Sequence, residues 1–416
     1  MSSDRQLYLD LWLEHIRTLA GTVGPRGSTT RAERRASAYC ARVLADLHLT
    51  PRVEGFRSPT SLFLVHFYVG AVMLLAFLIY PLGGRISAGI ALALALLGMY
   101  SEVMELLFRP HPLRALLPRG TSQNVIATLP PAGEHRQDLI LIGHVDTNHS
   151  PLIFRSPRWI NAWRVTSTLI FHSFGVQIIV FAAGLITQAS LTRWLTLPGG
   201  VGALLLVLIT LEAQLSPFSP GANDNATGAG LVLTLAARLR TEPPRHTRVW
   251  FVNTGCEEVK HYGAIDFFQM HAGEMRSPST LVFEMLGRDG PAWLLKEGTI
   301  GLFTYRSSPE LVALCEDVAR QHPDLGAHST QVGGGHTEMA DALRIGIPAI
   351  TLIGLDEGGT RFNYDGPELY WHHIGDTPDK INPEVLGRSY DFTLAFIRAL
   401  DARAAAGTPG GSDGHT

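Results

Sequence analysis

The chain has 416 residues, room for roughly two to three domains at about 150 residues each. Charged residues make up 17%, against a usual ~25%, while apolar residues make up 46%. That excludes a wholly disordered chain, and a net charge of -3 excludes a strongly basic nucleic-acid binder, so no nucleic-acid partner is expected. Three widely spaced cysteines, Cys40, Cys256 and Cys315, make neither a disulfide framework nor a metal knuckle. Any bound metal must therefore use His, Asp and Glu.

The first residues, MSSDRQLYLDLWLEHIRTLAG, read as a charged amphipathic helix rather than a signal peptide. Residues 31–48 are helical in period, and Thr50–Phe56 reads as a strand. Two uncharged runs follow, Ser61–Gly84 (24 residues) and Ile86–Ser101 (16 residues), parted by Arg85. NVIATL (124–129) and DLILI (138–142) are short apolar runs rich in β-branched residues, as buried strands are. A second pair of uncharged runs comes next, Val165–Thr192 (28 residues) and Trp194–Leu211 (18 residues), parted by Arg193. A bilayer core needs about 20 predominantly apolar residues per helix. The two pairs are therefore expected to be transmembrane hairpins, each entering and leaving on one side.

Beyond them, Gly228–Leu239 reads as a helix, Arg248–Asn253 and Thr280–Phe283 as strands, and Pro309–Gln321 as a helix. Pro348–Ile353 is a further strand and Pro383–Leu400 a closing helix. Strands alternating with helices imply an α/β fold, a mixed and mostly parallel sheet flanked by helices. The expected organisation is a discontinuous catalytic domain of residues 1–60, 109–164 and 212–405, interrupted by hairpins at 61–108 and 165–211. A Gly/Pro-rich tail at 406–416 is expected to be disordered. Seven arginines (57, 109, 114, 119, 155, 158 and 164) flank the hairpin bases, against Arg85 and Arg193 at the tips. By the excess of positive charge, the polar domain is expected in the cytoplasm of a multi-pass protein in the lipid bilayer. The sequence sets no oligomeric state.

In open α/β sheets, chemistry sits at the carboxyl ends of strands. Here those ends carry acids and histidines: His144 and Asp146 after DLILI, Asp224 in GANDNATG, Glu257 and Glu258 after RVWFVN, Glu284 after TLVF, and His372-His373 before Asp376. Each alone is weak: His144-x-Asp146 fits a surface turn, Glu257-Glu258 a solvated pair, and Asp224 a helix cap. Together they offer two histidine and three carboxylate sites, a donor set suited to two zinc ions sharing a carboxylate, with one further glutamate free as a base. Such a centre suits hydrolysis. Cys256, just before the glutamate pair, reads as a buried strand-end residue.

These residues resemble the dizinc aminopeptidase family of metallopeptidase clan MH, which includes bacterial leucyl aminopeptidases, glutamate carboxypeptidases and, as a catalytic cousin, glutaminyl cyclase. The resemblance covers roughly residues 12–58, 121–150 and 219–400. It implies two Zn²⁺ per chain and a peptide substrate. His144 matches a histidine ligand, Asp146 the acid that orients it, and Asp224 the bridging carboxylate. Glu257 matches the general base and Glu258 a ligand. Glu284 stands where the family usually has an aspartate ligand, one methylene shorter. His372 lies four residues before Asp376, as the family's last histidine ligand does, although His373 remains open as the ligand. On this map one metal sees His144, Asp224 and Glu284, and the other Asp224, Glu258 and His372. GGGHTEMADALRIGIPAI resembles the loop before the family's last strand, with Glu338 in place of Asp. His336 within it reads as a surface-loop residue, with the substrate pocket as the other reading.

Only 13 residues part Leu211 from Asp224, at most roughly 45 Å of extended chain, so a metal centre cannot lie far from the bilayer. The function expected is a membrane-integrated zinc exopeptidase, aminopeptidase-like. Another zinc amidohydrolase, a glutaminyl-cyclase-like activity and a metal-poor scaffold are the alternatives.

Overall fold

The computed structural model describes residues 3–187, 190–300, 303–333, 335–355, 360–361 and 370–406; of the tail expected at 406–416, residues 407–416 lie outside them. In chain order, α1 (Ser3–Ile16) and α2 (Arg31–Asp46) precede β1 (Arg52–Pro59). The first hairpin is α3 (Phe63–Ile79) and α4 (Gly84–Leu106). A short α5 (Pro112–Ala115) leads to β2 (Arg119–Leu129) and β3 (Gln137–His144). The second hairpin holds α6 (Pro157–Gly184), α7 (Ser190–Leu195) and α8 (Leu197–Leu215). Next come α9 (Thr227–Thr241), β4 (Thr247–Thr254), α10 (Tyr262–His271), β5 (Pro278–Glu284), β6 (Ala292–Ile300) and β7 (Phe303–Arg306). The chain closes with α11 (Pro309–Gln321), β8 (His328–Gly333), α12 (Met339–Arg344), β9 (Ala349–Ile353), β10 (Thr360–Arg361) and α13 (Pro383–Ala405).

Among the described residues the strands form one sheet in the order β1-β2-β4-β3-β5-β9-β6-β8-β10, with β7 paired to β6. Its centre, β4-β3-β5-β9, is parallel, while β1, β2 and the β6–β9 and β6–β7 pairings are antiparallel. The mixed α/β architecture read from the sequence is therefore the one present. β3 shows why DLILI carries no polar alternation: Leu139 and Leu141 pack into the core under α1, α9 and α13, while Ile140 and Ile142 pack into the core under α10 and α12. β6 was not expected. Its Lys296-Glu297-Gly298 breaks the apolar pattern, yet Glu297 is buried, accepting hydrogen bonds from the Thr337 backbone N–H and hydroxyl at 2.9 Å each.

Asp138 pins the start of β3. Its buried carboxylate accepts hydrogen bonds from Trp250 Nε1 (2.8 Å), Arg276 N (2.6 Å) and Arg248 Nη2 (3.1 Å). Burial alone would raise its pKa, but these bonds, Arg248 foremost, hold it below the ordinary 3.8. Asp138→Asn is expected to cost about 1–3 kcal/mol at neutral pH, since it weakens a charge-assisted cluster. With the folded value depressed, the wild-type advantage is present above about pH 4 and is lost as pH falls through the lowered value. Thermal unfolding of both proteins across acid pH should show the gap in Tm closing.

The apolar runs form four helices long and apolar enough to cross a membrane, with candidate spans Phe63–Leu82, Gly84–Leu106, Pro157–Ala183 and Thr192–Leu215. α3 packs on α4 and α8, and α6 on α4 and α8, closing a ring. Its interior holds Val69, Met73, Ala91, Ala95, Phe174 and Ala203. The first turn between helices needs Gly83 and Gly84, whose φ angles of 84° and 78° disfavour a Cβ. α6 begins eight residues before the uncharged run, because Ser156 caps it and Pro157 suits its first turn.

Both hairpins are tied to the carboxyl ends of the central strands. Glu105, at the end of α4, accepts hydrogen bonds from Arg114 Nη1 (2.6 and 2.7 Å). Arg114 Nη2 in turn donates to Val259 O at 2.9 Å, in the turn that follows the Glu257-Glu258 pair. The segments into α6 and out of α8 run side by side, with Ser150 N donating to Pro217 O (2.7 Å) and Ser219 N to Asn148 O (2.8 Å).

Candidate metal centre

Four strand or helix ends converge. β3 ends at His144, β4 ends just before the Glu257-Glu258 turn, β5 ends at Glu284, and Asp224 lies in the irregular turn entering α9. α9 can approach this closely because β3 has Gly143 there: a Cβ on it would lie 2.5 Å from the backbone carbon of Gly228. His372 arrives from the segment before α13.

Donor atoms of His144, Asp224 and Glu284 lie within 4.8 Å of one another, and so do those of Asp224, Glu258 and His372. His144 Nε2 is 3.5 Å from Asp224 Oδ1 and 3.6 Å from Glu284 Oε2. His372 Nε2 is 3.5 Å from Asp224 Oδ2 and 3.0 Å from Glu258 Oε2. Asp224 thus presents one oxygen to each group. Glu257 belongs to neither trio but stands beside the first, its Oε2 3.8 Å from His144 Nε2. His373 faces elsewhere: its Nδ1 accepts from Gly375 N at 2.9 Å. Between the two neighbouring histidines, the one in the cluster is His372.

The electrostatics call for a cation. Burial pushes the Glu258 carboxyl up to about 8 and that of Glu284 to about 7. Burial would lower His144, but Glu257 and Glu284 outweigh it and raise its pKa well above 6.5. Glu258 Oε1 and Glu284 Oε1 are buried without a hydrogen-bond partner. One orphaned acceptor on each trio, among clustered carboxylates, fits two divalent ions better than a protein-only network. The nitrogen and carboxylate donors suit zinc.

Asp146 departs from the simplest expectation. His144 Nδ1 lies 3.1 Å from the Asp146 backbone carbonyl and 3.5 Å from its Oδ1, so the carbonyl is the nearer acceptor that fixes the ring with Nε2 toward the cluster. The Asp146 carboxylate instead accepts from Ser28 Oγ (2.6 Å), Glu257 N (3.0 Å) and Glu258 N (3.2 Å). It holds the backbone of the glutamate pair. Cys256, just before that pair, is buried and has a left-handed φ of 56°. Its N–H donates to Glu33 Oε1 at 2.9 Å.

Of the supporting residues, His261 and Asp341 were not read from the sequence, whereas Asp376, His336 and Glu338 were named there without the surroundings found here. His261, four residues after Glu257, bridges Glu257 Oε1 (3.1 Å) and Asp341 Oδ2 (2.7 Å). The spacing was visible in EEVKH, but nothing local announces the Asp341 partner. Asp376 accepts from Asn223 N (2.8 Å) and Asp224 N (2.9 Å), fixing the shared carboxylate's backbone. His336 lines the cavity at the centre, its ring 4.5 Å from that of Phe108. Glu338 is fully buried.

Arg26 is wholly buried, and its guanidinium donates to five backbone carbonyls: Leu19, Gly24, Val145, Pro220 and Gly221, at 2.6–3.0 Å. It thereby ties the loop after His144 to the loop before Asp224. Arg26→Met leaves those carbonyls unpaired. A loss of about 3 kcal/mol or more is expected, read as a drop in unfolding temperature together with weaker metal retention.

Residues 210–397 match the model of peptidase family M28. That segment holds Asp224, Glu257, Glu258, Glu284 and His372, and His144 precedes it. No curated protein sequence matches. Among solved structures, a zinc aminopeptidase from Bacillus subtilis is similar, at 15% identity and a TM-score of 0.56, with 94% of each chain covered. A glutaminyl cyclase from Tannerella forsythia follows at 14% identity and 0.55, covering 94% of this chain and 98% of that one. An aminopeptidase from Aneurinibacillus sp. strain AM-1 gives 14% and 0.53, covering 95% and 93%. At these identities the likeness establishes the fold. Fold, matched segment and donor set agree on a zinc metallopeptidase-type hydrolase, whose residues 210–397 are similar to peptidase family M28.

Proposed function

We propose that this protein is a membrane-integrated, zinc-dependent exopeptidase of aminopeptidase type. The observation that carries the reading is the pair of buried donor groups sharing Asp224, with Glu257 beside them. His144, Asp224 and Glu284 would hold one Zn²⁺, and Asp224, Glu258 and His372 the other. Zinc bound there supplies an activated water and a polarised peptide carbonyl.

The chain's own residues do the rest. His261 holds Glu257 Oε1 at 3.1 Å, leaving Oε2 toward the donor cluster. Glu257 Oε2 takes the proton of the attacking water and delivers it to the leaving amine nitrogen. Asp146 fixes the backbone from which Glu257 and Glu258 project, and Asp376 fixes that of Asp224. These contacts hold acid, base and ligands in one geometry without reorganisation.

Membrane integration is supported by the four apolar helices and by what they leave outward: Leu78, Ile86, Leu169, Ile179 and Leu208 are all exposed. Such a belt suits lipid rather than water. The arginines at the hairpin bases favour a cytoplasmic catalytic domain. The expected division into hairpins at 61–108 and 165–211 within one discontinuous domain is part of this proposal.

The test is metal content by mass spectrometry on protein in lipid nanodiscs, with hydrolysis of a panel of aminoacyl amides on the same samples. About two zincs per chain and release of the N-terminal residue are expected. No bound metal after zinc reconstitution would overturn the reading and leave a scaffold. Aminoacyl cyclisation is the second reading, because glutaminyl cyclases share the fold. A peptide with N-terminal glutamine separates the two, since cyclisation loses ammonia where hydrolysis gains water.

A further inference from the structure

A cavity of 810 Å³ runs from the metal centre into the space between the two hairpins. At one end it meets all five ligand candidates and Glu257. At the other it is lined by Trp163, Ile170, Phe171 and Phe174 on α6, and by Leu206 and Ile209 on α8. With Ser167, the α6 positions 163, 167, 170 and 174 recur at intervals of four, three and four, and Leu206 and Ile209 are three apart on α8, so each helix turns one face to the cavity. From Trp163 to Phe174 is eleven residues, about 16 Å of helix at 1.5 Å per residue. Of the charged groups near the junction, His66 Nδ1 lies 3.0 Å from Glu102 Oε2 and Lys260 Nζ lies 3.8 Å from the centre of the Phe108 ring, while Arg164 on α6 also lines the cavity.

We infer that the substrate is an amide with a long aliphatic arm, which lies between the hairpins while its scissile bond sits at the metal centre. The inference rests on the exopeptidase reading and names its substrate class. An aminopeptidase releases the single residue on the acyl side of the scissile bond, so the arm that reaches between the helices is on the leaving-amine side. A helix is about 10–12 Å across with its side chains. It would fill 810 Å³ in under about two turns, so the cavity suits a single extended chain and not a helical membrane segment. An arm arriving from lipid gains little by transfer, because lipid tails are as apolar as the lining. The lining instead selects by length and shape, and it lets an amide move from bilayer to metal centre without its arm crossing water.

The test uses the full protein in nanodiscs with two bound zincs, and leucyl alkylamides from ethyl to decyl. Ser167, half-buried on α6, also lines the cavity, and Ser167→Trp would fill it. The readout is the ratio of wild-type to variant kcat/KM in the same nanodiscs, so that partitioning into lipid cancels. The ratio is expected near one for the ethylamide and to reach at least about tenfold at decyl, because a long arm that meets the added indole must bend or displace it. Ile209→Trp on the facing helix is the second variant, in case Ser167→Trp fails to fold. A ratio that stays near one along the series, with leucyl ethylamide hydrolysed, overturns the inference and leaves the exopeptidase reading standing. No hydrolysis of any member overturns that reading and the inference with it.

A second readout is independent of turnover. A leucyl alkylamide whose arm ends in a diazirine is photolysed on Glu257→Ala protein. Labelling within residues 157–184 and 197–215, competed by leucyl decylamide, supports the inference. Equal labelling by a diazirine-tailed phospholipid without such competition means an ordinary lipid fills the space, and overturns it.

Discussion

Glu257→Ala is expected to lower kcat by about 10²–10⁴-fold while both metals stay bound. Glu257 lies outside both donor trios, so its removal leaves His144 facing Asp224 and Glu284, and His372 facing Asp224 and Glu258. What disappears is the one carboxylate oriented by His261 and placed beside the centre. Glu257→Gln keeps the shape and most hydrogen bonds but cannot take a proton, so it should fall as far. Zinc counts and kcat on the same samples check both variants. Loss of metal in Glu257→Ala would make this residue a ligand, and retained turnover would place the base elsewhere.

Asp224→Ala is expected to strip both metals at once, and activity with them. Its two oxygens face different histidines, Oδ1 toward His144 and Oδ2 toward His372, each at 3.5 Å, and among the described residues it is the one side chain common to both groups. Glu284→Ala or His372→Ala should affect one metal more than the other. Asp376→Ala provides the graded comparison: it removes the acceptor for Asn223 N and Asp224 N but no donor to metal, and about a 10–100-fold loss of zinc affinity is expected. Competition with a chelator, read as residual zinc per chain, ranks the series. An Asp224→Ala protein that keeps two zincs would exclude the shared-carboxylate arrangement.

The sequence alone determined the central strands, the four apolar helices and the identity of the clustered acids and histidines. Each has a local signature. A strand buried on both faces is apolar throughout, as DLILI is; a helix for lipid lacks charge over some twenty residues; and the clustered acids and histidines stand where those strands end. The outer strands β6 to β8 lacked such a signature, because they carry polar residues such as Glu297 that are satisfied by partners far along the chain.

The supporting frame was likewise illegible, for the same reason. Arg26 looks like any arginine in a loop until five carbonyls, two from its own segment and three from the distant loops at Val145 and at Pro220-Gly221, close around it. Glu33 looks like an ordinary residue in the first turn of α2, yet it reaches the N–H of Cys256. The expectation that the Asp146 carboxylate orients His144 differed in detail, since the backbone carbonyl is closer and the carboxylate is occupied with two N–H groups and a hydroxyl. Only the tertiary structure decided which of two adjacent histidines enters the cluster, and that the hairpins open onto the metal centre. Donor identity is a property of single residues; a donor's direction, and the space before it, depend on groups brought together from far along the chain, as Asp376 is to Asp224 N from 152 positions away and Trp12 Nε1 to Thr227 O from 215.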